Sequence, residues 1–375
     1  MLDTLARPYD FSEKRAPNRL VAQAMEINSA TEDGRVTPEI IHRYEELARG
    51  GWGIVFVEAI SITPDHMARK HGLVISEDRL DGYKRLVERF KERNDRSLIL
   101  FQLTHSGRMS GKFSRPVRAY GGDDSDLPVL TEGELDDVAR SFVSACALAR
   151  EAGADGVDLK SCHGYLGGEL LRPGNTRNDS YGGSAENRAR MISETVREVK
   201  GRYPDFLVGS RISLFEGVRG GCGTAGPDEI IEDLSDILLV LKYIVDAGAD
   251  FINVSAGIPA IHPQLTRPEN KCLFNFYHHF RYAKKVVDRF PGLAVIGSAY
   301  SAGKETAVYW ASENIERGYV HFAGFGRQNL ADPGFAGKIL KGSSNIHRCI
   351  LCGGCSRLLG NQERVRCIQY DKENG

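Results

Sequence analysis

Short apolar runs that end in polar or glycine-rich residues alternate along this chain with longer stretches whose apolar positions recur every three or four residues. The pattern predicts strands over 19–25, 53–61, 97–105, 155–162, 207–214, 251–257, 293–299 and 319–326. Helices are predicted around 38–49, 79–93, 133–152, 185–202, 228–247, 276–289, 303–316 and 333–341. Strands separated by helices pair in parallel through right-handed crossovers, and eight such units close into an α/β fold of the (β/α)8 TIM barrel type. A doubly wound open sheet would want a glycine-rich turn after its first strand, but that strand leads into MEINSATEDG, with no G-x-G. The barrel is expected over residues 1–343. A break near 342–346, where KGSSN interrupts the pattern, sets off a short C-terminal segment, 344–375.

In such a barrel, chemistry belongs at the carboxyl ends of the strands. Glu26, Glu58, Gln102, His105, Lys160, His163, Arg211, Ser255 and Arg327 all fall there. Any one of them could sit at a strand end because strand ends are wet, but nine together, several within apolar strands, point to a site. Within 155–162, Val157 and Leu159 alternate with Asp158 and Lys160, so the charged pair faces the barrel interior. An inward Lys160 either pairs with Asp158 or meets a bound ligand. His163 and Tyr165, just beyond, can donate to a developing oxyanion or deliver a proton. The last two strands end in Gly297-Ser298-Ala299 and Gly324-Phe325-Gly326-Arg327, small residues suited to a phosphate cradle with Arg327 as a fork. The long loops 106–130, 214–227 and 257–275 are expected to roof the pocket, with His105, Tyr277, His278 and Tyr300 either lining it or packing beneath it.

Composition narrows the function class. The chain has 375 residues, 41% hydrophobic and 26% charged, as a globular protein does. Lys and Arg total 49 against 50 Asp and Glu, so no global field draws nucleic acid or an anionic membrane. No apolar run approaches the roughly 18 to 20 residues of a membrane span, and MLDTLARPYDFSEKRAPNRL lacks the apolar core of a signal peptide. A cytoplasmic location is the expectation. Cys146, Cys162, Cys222 and Cys272 are scattered, whereas Cys349, Cys352, Cys355 and Cys367 crowd the C-terminal segment. In a reducing compartment that crowding reads as a metal or cluster site rather than a disulfide framework.

The block HGYLGGELLRPGNTRNDSYGGSAENRARM resembles the diagnostic segment of the Old Yellow Enzyme family of FMN-dependent ene-reductases. NRLVAQAM (18–25), QLTHSGR (102–108) and FGRQNLADP (325–333) resemble its other blocks, in order over essentially the whole barrel. The tail, CILCGGC followed by Cys367, is similar to the branch that includes 2,4-dienoyl-CoA reductase and trimethylamine dehydrogenase, whose members carry a [4Fe-4S] cluster. Cluster iron or zinc can use the same four thiolates.

The resemblance implies a residue map. Gln102 would contact the flavin pyrimidine ring and Arg211 would place charge near N1 and O2. Gly297, Ser298, Gly326 and Arg327 would hold the FMN phosphate, with Met25, Glu26 and Glu58 also beside the cofactor. Glu26 stands where relatives often have Thr or Cys. His163 would grip the substrate carbonyl with Lys160, which replaces the usual second His, and Tyr165 would protonate Cα after hydride addition at Cβ. No Cys lies near Ala30, where the trimethylamine dehydrogenase type attaches its flavin, so FMN is expected to be non-covalent. Relatives with dienoyl-CoA or amine substrates continue into dinucleotide-binding domains, whereas this chain stops eight residues after Cys367. Electrons are therefore expected from NAD(P)H or from an outside carrier, such as reduced ferredoxin or a separate reductase, through the cluster.

The expected activity is reduction of a C=C bond conjugated to a carbonyl or carboxyl group in a small enone or enoate. Oxidative dehydrogenation or demethylation of a small amine on the same scaffold is the alternative. From other classes, Lys160 could form a Schiff base in an aldolase, or the tail could hold zinc in a binding protein with no chemistry.

Overall fold

The structure, a computed structural model, describes every residue except 12, 123–124, 270–273 and 372–375, so Cys272 lies outside the described residues. Eight parallel strands form a closed barrel: β1 Leu20–Ala22, β2 Ile54–Ser61, β3 Leu98–Thr104, β4 Gly156–Ser161, β5 Leu207–Ser213, β6 Phe251–Ser255, β7 Ala294–Gly297 and β8 Phe322–Phe325. Each pairs with the next, and β8 closes onto β1 through Gly324 opposite Val21. Helices α1 Pro38–Arg49, α2 Leu80–Arg93, α3 Glu132–Glu151, α4 Ala185–Arg202, α5 Ser235–Asp246, α6 Phe274–Arg289, α7 Ala307–Glu316 and α8 Phe335–Leu340 follow the strands in turn. Their starts are set by side chains that satisfy free amides. Thr37 accepts from the Ile40 amide, Ser184 from the Asn187 amide, and Thr131 forms a reciprocal capping box with Glu134. No helix among the described residues is long and apolar enough to cross a membrane.

Two departures from expectation have local causes. The helix expected over 228–247 begins only at Ser235, because the Asp233 carboxylate accepts the Ser235 amide at 2.8 Å and holds the preceding residues in a turn. The chain also opens with a helix, Leu2–Ala6, and a hairpin of Tyr9–Asp10 with Arg15–Ala16, elements too short to show a period. The hairpin plugs the barrel floor. Tyr9, Phe11 and Ala16 join Val21, Phe56, Leu100 and Phe251 in one apolar cluster, with Phe11 stacked on Phe322 at 5.8 Å between ring centroids.

Above that cluster the interior turns polar. Gln102 Nε2 donates to Asp158 Oδ2 at 2.8 Å, Gln23 and Asn253 exchange amide hydrogen bonds at 2.8 and 2.9 Å, and an Arg211 Nη donates to Gln23 Oε1 at 2.8 Å. Side chains from β3, β4, β5, β6 and the segment after β1 are thereby knitted into one layer. Residues 344–371 fold back on the barrel rather than extending from it. The Val365 amide donates to the Ile27 carbonyl at 2.8 Å, Asn28 donates to the Gln362 carbonyl at 2.7 Å, and Val365 is buried in the same core as the barrel helices.

The polar layer needs room at Gly324, where an added Cβ would collide with the Gln23 amide and come within 2.7 Å of the Gly297 carbonyl. Gly324→Val is expected to destabilise the fold by about 1–3 kcal/mol, since neither neighbour can yield without breaking a hydrogen bond. Thermal denaturation against the wild type checks it, with the same Tm in both as the contrary result.

Candidate active site

A cavity of about 430 Å³ opens at the carboxyl ends of the strands. Gln102 and Arg211 form its floor, Lys160, His163 and Tyr165 one side, and Ser298, Gly326 and Arg327 another. Met25 and Glu26, from the loop after β1, complete the inner wall. Loop residues 259–260 and 266–268 cover it, and Cys355 and Val365 of the tail close the remaining face.

Glu26 organises the substrate side. Its Oε2 accepts from Arg69 Nε at 2.7 Å, and its Oε1 accepts from Lys160 Nζ at 3.3 Å and from the Tyr165 hydroxyl at 3.2 Å. Burial alone would raise the Glu26 carboxyl, but Arg69 and Lys160 outweigh it and hold the group far below the ordinary carboxylate range. Lys160 therefore pairs with Glu26 and not with Asp158, whose carboxylate is occupied by Gln102 and Asn253 in the layer beneath. Burial would lower the Lys160 ammonium, yet Tyr165 and Glu26 keep it above its usual value. Its Nζ also lies 3.5 Å from the centroid of the Tyr165 ring.

His163 and Tyr165 owe their positions to a tight turn. His163 takes a left-handed backbone conformation, φ 62°, and the buried helix Leu166–Leu171 starts directly after Tyr165. That helix lies so close to β4 that a Cβ on Gly167 would come within 2.9 Å of the Lys160 carbonyl oxygen, which accounts for the glycine pair in GYLGGELL. One imidazole nitrogen of His163, Nε2, meets Ser255 Oγ at 2.8 Å. The other is left for a ligand. Burial, with Arg211 and Lys160 adding to it, holds the His163 ring well below its usual pKa, so it is neutral.

The floor and the opposite side fit a phosphate-bearing aromatic cofactor. Arg211 Nε is buried with no hydrogen-bond partner within the protein, a donor awaiting an acceptor from the cavity. Ser298, Gly326 and Arg327 line the space beside it, as expected for a cradle built by β7 and β8. A second, smaller cavity is walled by Cys349, Cys352, Cys355 and Cys367 with Arg327, so Cys355 and Arg327 belong to both. Burial raises the Cys349 and Cys355 thiols, and Arg327 opposes it. Among the described residues no three His, Cys, Asp or Glu side chains converge on a point suited to one metal ion. The four thiols instead surround a space.

Several expected positions lie elsewhere. Gly297 does not line the cavity, since the place of its missing Cβ points at Val320. His105 is buried against His66, with ring centroids 4.3 Å apart, and its pKa is pushed down to about 3 by burial. Tyr300 packs on Phe280, Tyr277 on Trp310 and His278 on Tyr282, all outside the cavity. Glu58 is also displaced: the register of β2 against β3 shifts between Val57 and Ile60, and the Glu58 carboxylate turns behind the wall to accept the Ile27 amide at 2.7 Å. Arg69 and Arg267 are among the wall residues that pattern reading missed, because both sit on irregular loops that carry no period; Gln23, just past β1, is another.

Burial pushes Glu58 up to about 8, and its Oε1 has no partner. A carboxyl whose folded-state pKa is raised stabilises fully below its unfolded pKa, about 4.3, and loses that contribution as pH climbs toward the folded value. Glu58→Gln is therefore expected to flatten a decline in stability between about pH 4.3 and 8. Urea midpoints across that range test this, and parallel profiles for the two proteins would show that Glu58 is ionised in the fold.

Residues 4–345 match the NADH:flavin oxidoreductase / NADH oxidase family. The NADH oxidase of Thermoanaerobacter brockii is 31% identical over 384 residues, covering 96% of this chain and 55% of that protein. The NADPH dehydrogenase of Bacillus subtilis (strain 168) is 30% identical over 345 residues, covering 90% of this chain and 94% of the relative. The chain thus spans a little over half the length of the first relative and nearly all of the second. Among solved structures, 2-naphthoyl-CoA reductase with 2-naphthoyl-CoA superposes with a TM-score of 0.86 at 18% identity, over 98% of this chain and 57% of that one. The old yellow enzyme homologue from Zymomonas mobilis gives 0.73 at 20% identity, over 92% and 95%. These two likenesses establish the barrel fold. With the family match running the length of that barrel, the chain belongs to the NADH:flavin oxidoreductase / NADH oxidase family, that of Old Yellow Enzyme, and is an FMN-dependent oxidoreductase.

Proposed function

We propose that this protein is an ene-reductase that saturates a C=C bond conjugated to a carbonyl or carboxyl group, with electrons arriving from NAD(P)H or from a carrier such as reduced ferredoxin. Cys349, Cys352, Cys355 and Cys367 would hold a [4Fe-4S] cluster, which would supply one-electron transfer from such a carrier. The observation that carries the reading is the division of one cavity into a floor and cradle of Gln102, Arg211, Ser298, Gly326 and Arg327 and a facing set of Lys160, His163 and Tyr165. When bound, FMN supplies hydride transfer.

What the chain supplies is charge and protons. Arg211 offers positive charge and an unpartnered Nε to the electron-rich edge of the reduced ring system. Lys160 and His163 donate to the substrate carbonyl oxygen, where negative charge builds as Cβ takes the hydride. Tyr165 gives its hydroxyl proton to Cα. That proton rests on Glu26 at 3.2 Å, and rotation about the C–O bond re-aims it. The phenolate left behind is stabilised by Lys160 over its ring and by Arg69 nearby.

The same geometry weighs against the other readings. Lys160 is held as an ammonium by Glu26, which removes the free amine that a Schiff base requires. The four tail thiols line one cavity, and the x2, x2, x11 spacing of those thiols resembles that of the cluster-bearing branch. Cys355 borders both cavities, so a cluster held by the tail thiols would adjoin the flavin cavity through that side chain.

Protein purified without oxygen is expected to show flavin absorption together with iron and sulfide. Cys352→Ser removes the iron and leaves the flavin. Stoichiometric zinc in place of iron would overturn the relay. Tyr165→Phe is expected to slow reoxidation of the reduced holoenzyme by an enone by about a hundredfold, with little change toward a quinone, which needs no proton at carbon. Equal slowing with both oxidants would take the acid role from Tyr165.

A further inference from the structure

The cavity wall is rich in cations. Arg69, Lys160, Arg211, Arg267 and Arg327 line it, and Glu26 is the only carboxylate among them. Glu26 is already shared by Arg69 at 2.7 Å and Lys160 at 3.3 Å. Arg211 is hydrogen-bonded to Gln23, and Arg327 stands at the cradle with one Nη on the Pro268 carbonyl at 3.0 Å. An FMN phosphate would contribute about two negative charges, and Cys349, Cys355, Glu269 and Cys352 oppose the charge of Arg327, which leaves Arg267 as the wall cation with no ion-pair or hydrogen-bond partner for its side chain among the described residues.

Arg267 has the least support. No carboxylate among the described residues forms an ion pair with it, and the charged groups that act on it are Arg327 and Arg69 on one side and Cys355 and Glu26 on the other. It is partly buried, where an unpaired charge is costly. Yet the backbone on both sides of it is held firmly. Thr266 Oγ1 donates to the Ala256 carbonyl at 2.9 Å, the Arg267 amide donates to the Pro263 carbonyl at 2.7 Å, and the Pro268 carbonyl accepts from Arg327. The loop after β6 therefore presents a guanidinium to the cavity with no ion-pair partner among the described residues, while Glu269 of the same loop acts on Arg327.

We infer that Arg267 is an anion-recognising residue for substrate, and that the substrate carries a carboxylate separate from the carbonyl that activates its C=C bond. Arg267 grips this carboxylate as a fork, with Arg69 on its flank, while Lys160 and His163 keep the carbonyl. The inference rests on the ene-reductase reading at one point, that FMN occupies the floor and cradle.

The probes are two acids with different spans between amide carbonyl and carboxylate, trans-3-carbamoylacrylate and trans-4-carboxycinnamamide, each beside its neutral methyl ester. Equilibrium dialysis against the oxidised holoenzyme gives the four dissociation constants. At least one acid is expected to bind about tenfold or more tighter than its ester. Arg267→Gln is expected to abolish that preference while leaving ester affinity and FMN content unchanged, and Arg267→Lys to restore part of it. Equal affinities in both wild-type pairs, or a preference that survives Arg267→Gln, would overturn the inference. Loss of FMN from Arg267→Gln would overturn it too, by assigning the residue to the cofactor phosphate. A chain that takes up no FMN at all overturns the parent reading and this one with it, whereas FMN uptake without acid preference overturns this one alone.

Discussion

The Glu26 carboxylate holds the working half of this molecule together. Two parts of the chain that are far apart in sequence meet on its two oxygens: Arg69 from the loop after β2, and Lys160 of β4 with Tyr165 from the turn just beyond it. Without it, Arg69 and Lys160 would be two cations facing each other in a partly dry space, and breaking such a buried set costs about 3–5 kcal/mol. With it, the ammonium of Lys160 stays protonated, the phenol of Tyr165 is oriented, and both are kept at the edge of the cavity rather than collapsed into it. The substrate side of the site is thus an electrostatic assembly standing on an apolar and then a polar layer of the barrel.

That layering was legible in the sequence to an unequal degree. The strands emerge from periodicity because a barrel strand faces two different environments, and alternation such as Val157 and Leu159 against Asp158 and Lys160 records both. Gly326 and the Gln102, Arg211, His163 and Tyr165 positions follow from being at or just past strand ends, whereas Gly297 does not reach the cavity. What pattern reading cannot supply is a partner. Asp158, two residues from Lys160, is the natural guess for a charge pair, but the pair forms with Glu26, 134 residues away. Glu58 fails for another reason: one shift of register in β2 turns its side chain away from the cavity and leaves no trace in composition. Arg69 and Arg267 lie in loops whose shape depends on contacts with distant elements, so their importance is visible only once the barrel has closed.

The floor is equally telling. A hairpin of two short strands, supplying Tyr9 and Phe11, seals the amino-terminal mouth with aromatic contacts to Phe322 at 5.0 and 5.8 Å. The seal excludes water from beneath the Gln23, Asn253, Gln102 and Asp158 layer, whose amides then satisfy one another instead of solvent. Rigidity below is what allows the side chains above to be so heavily charged without the barrel opening.

The tail has a consequence for how the molecule is put together. Cys355 and Val365 form part of the cavity wall, and Val365 is pinned to Ile27 by a backbone hydrogen bond. The barrel is synthesised before these residues, so the cavity stands open along that side until they dock. Loading of the cavity and docking of the tail are then steps of one assembly sequence, in which a segment made after the barrel supplies part of the barrel's own site.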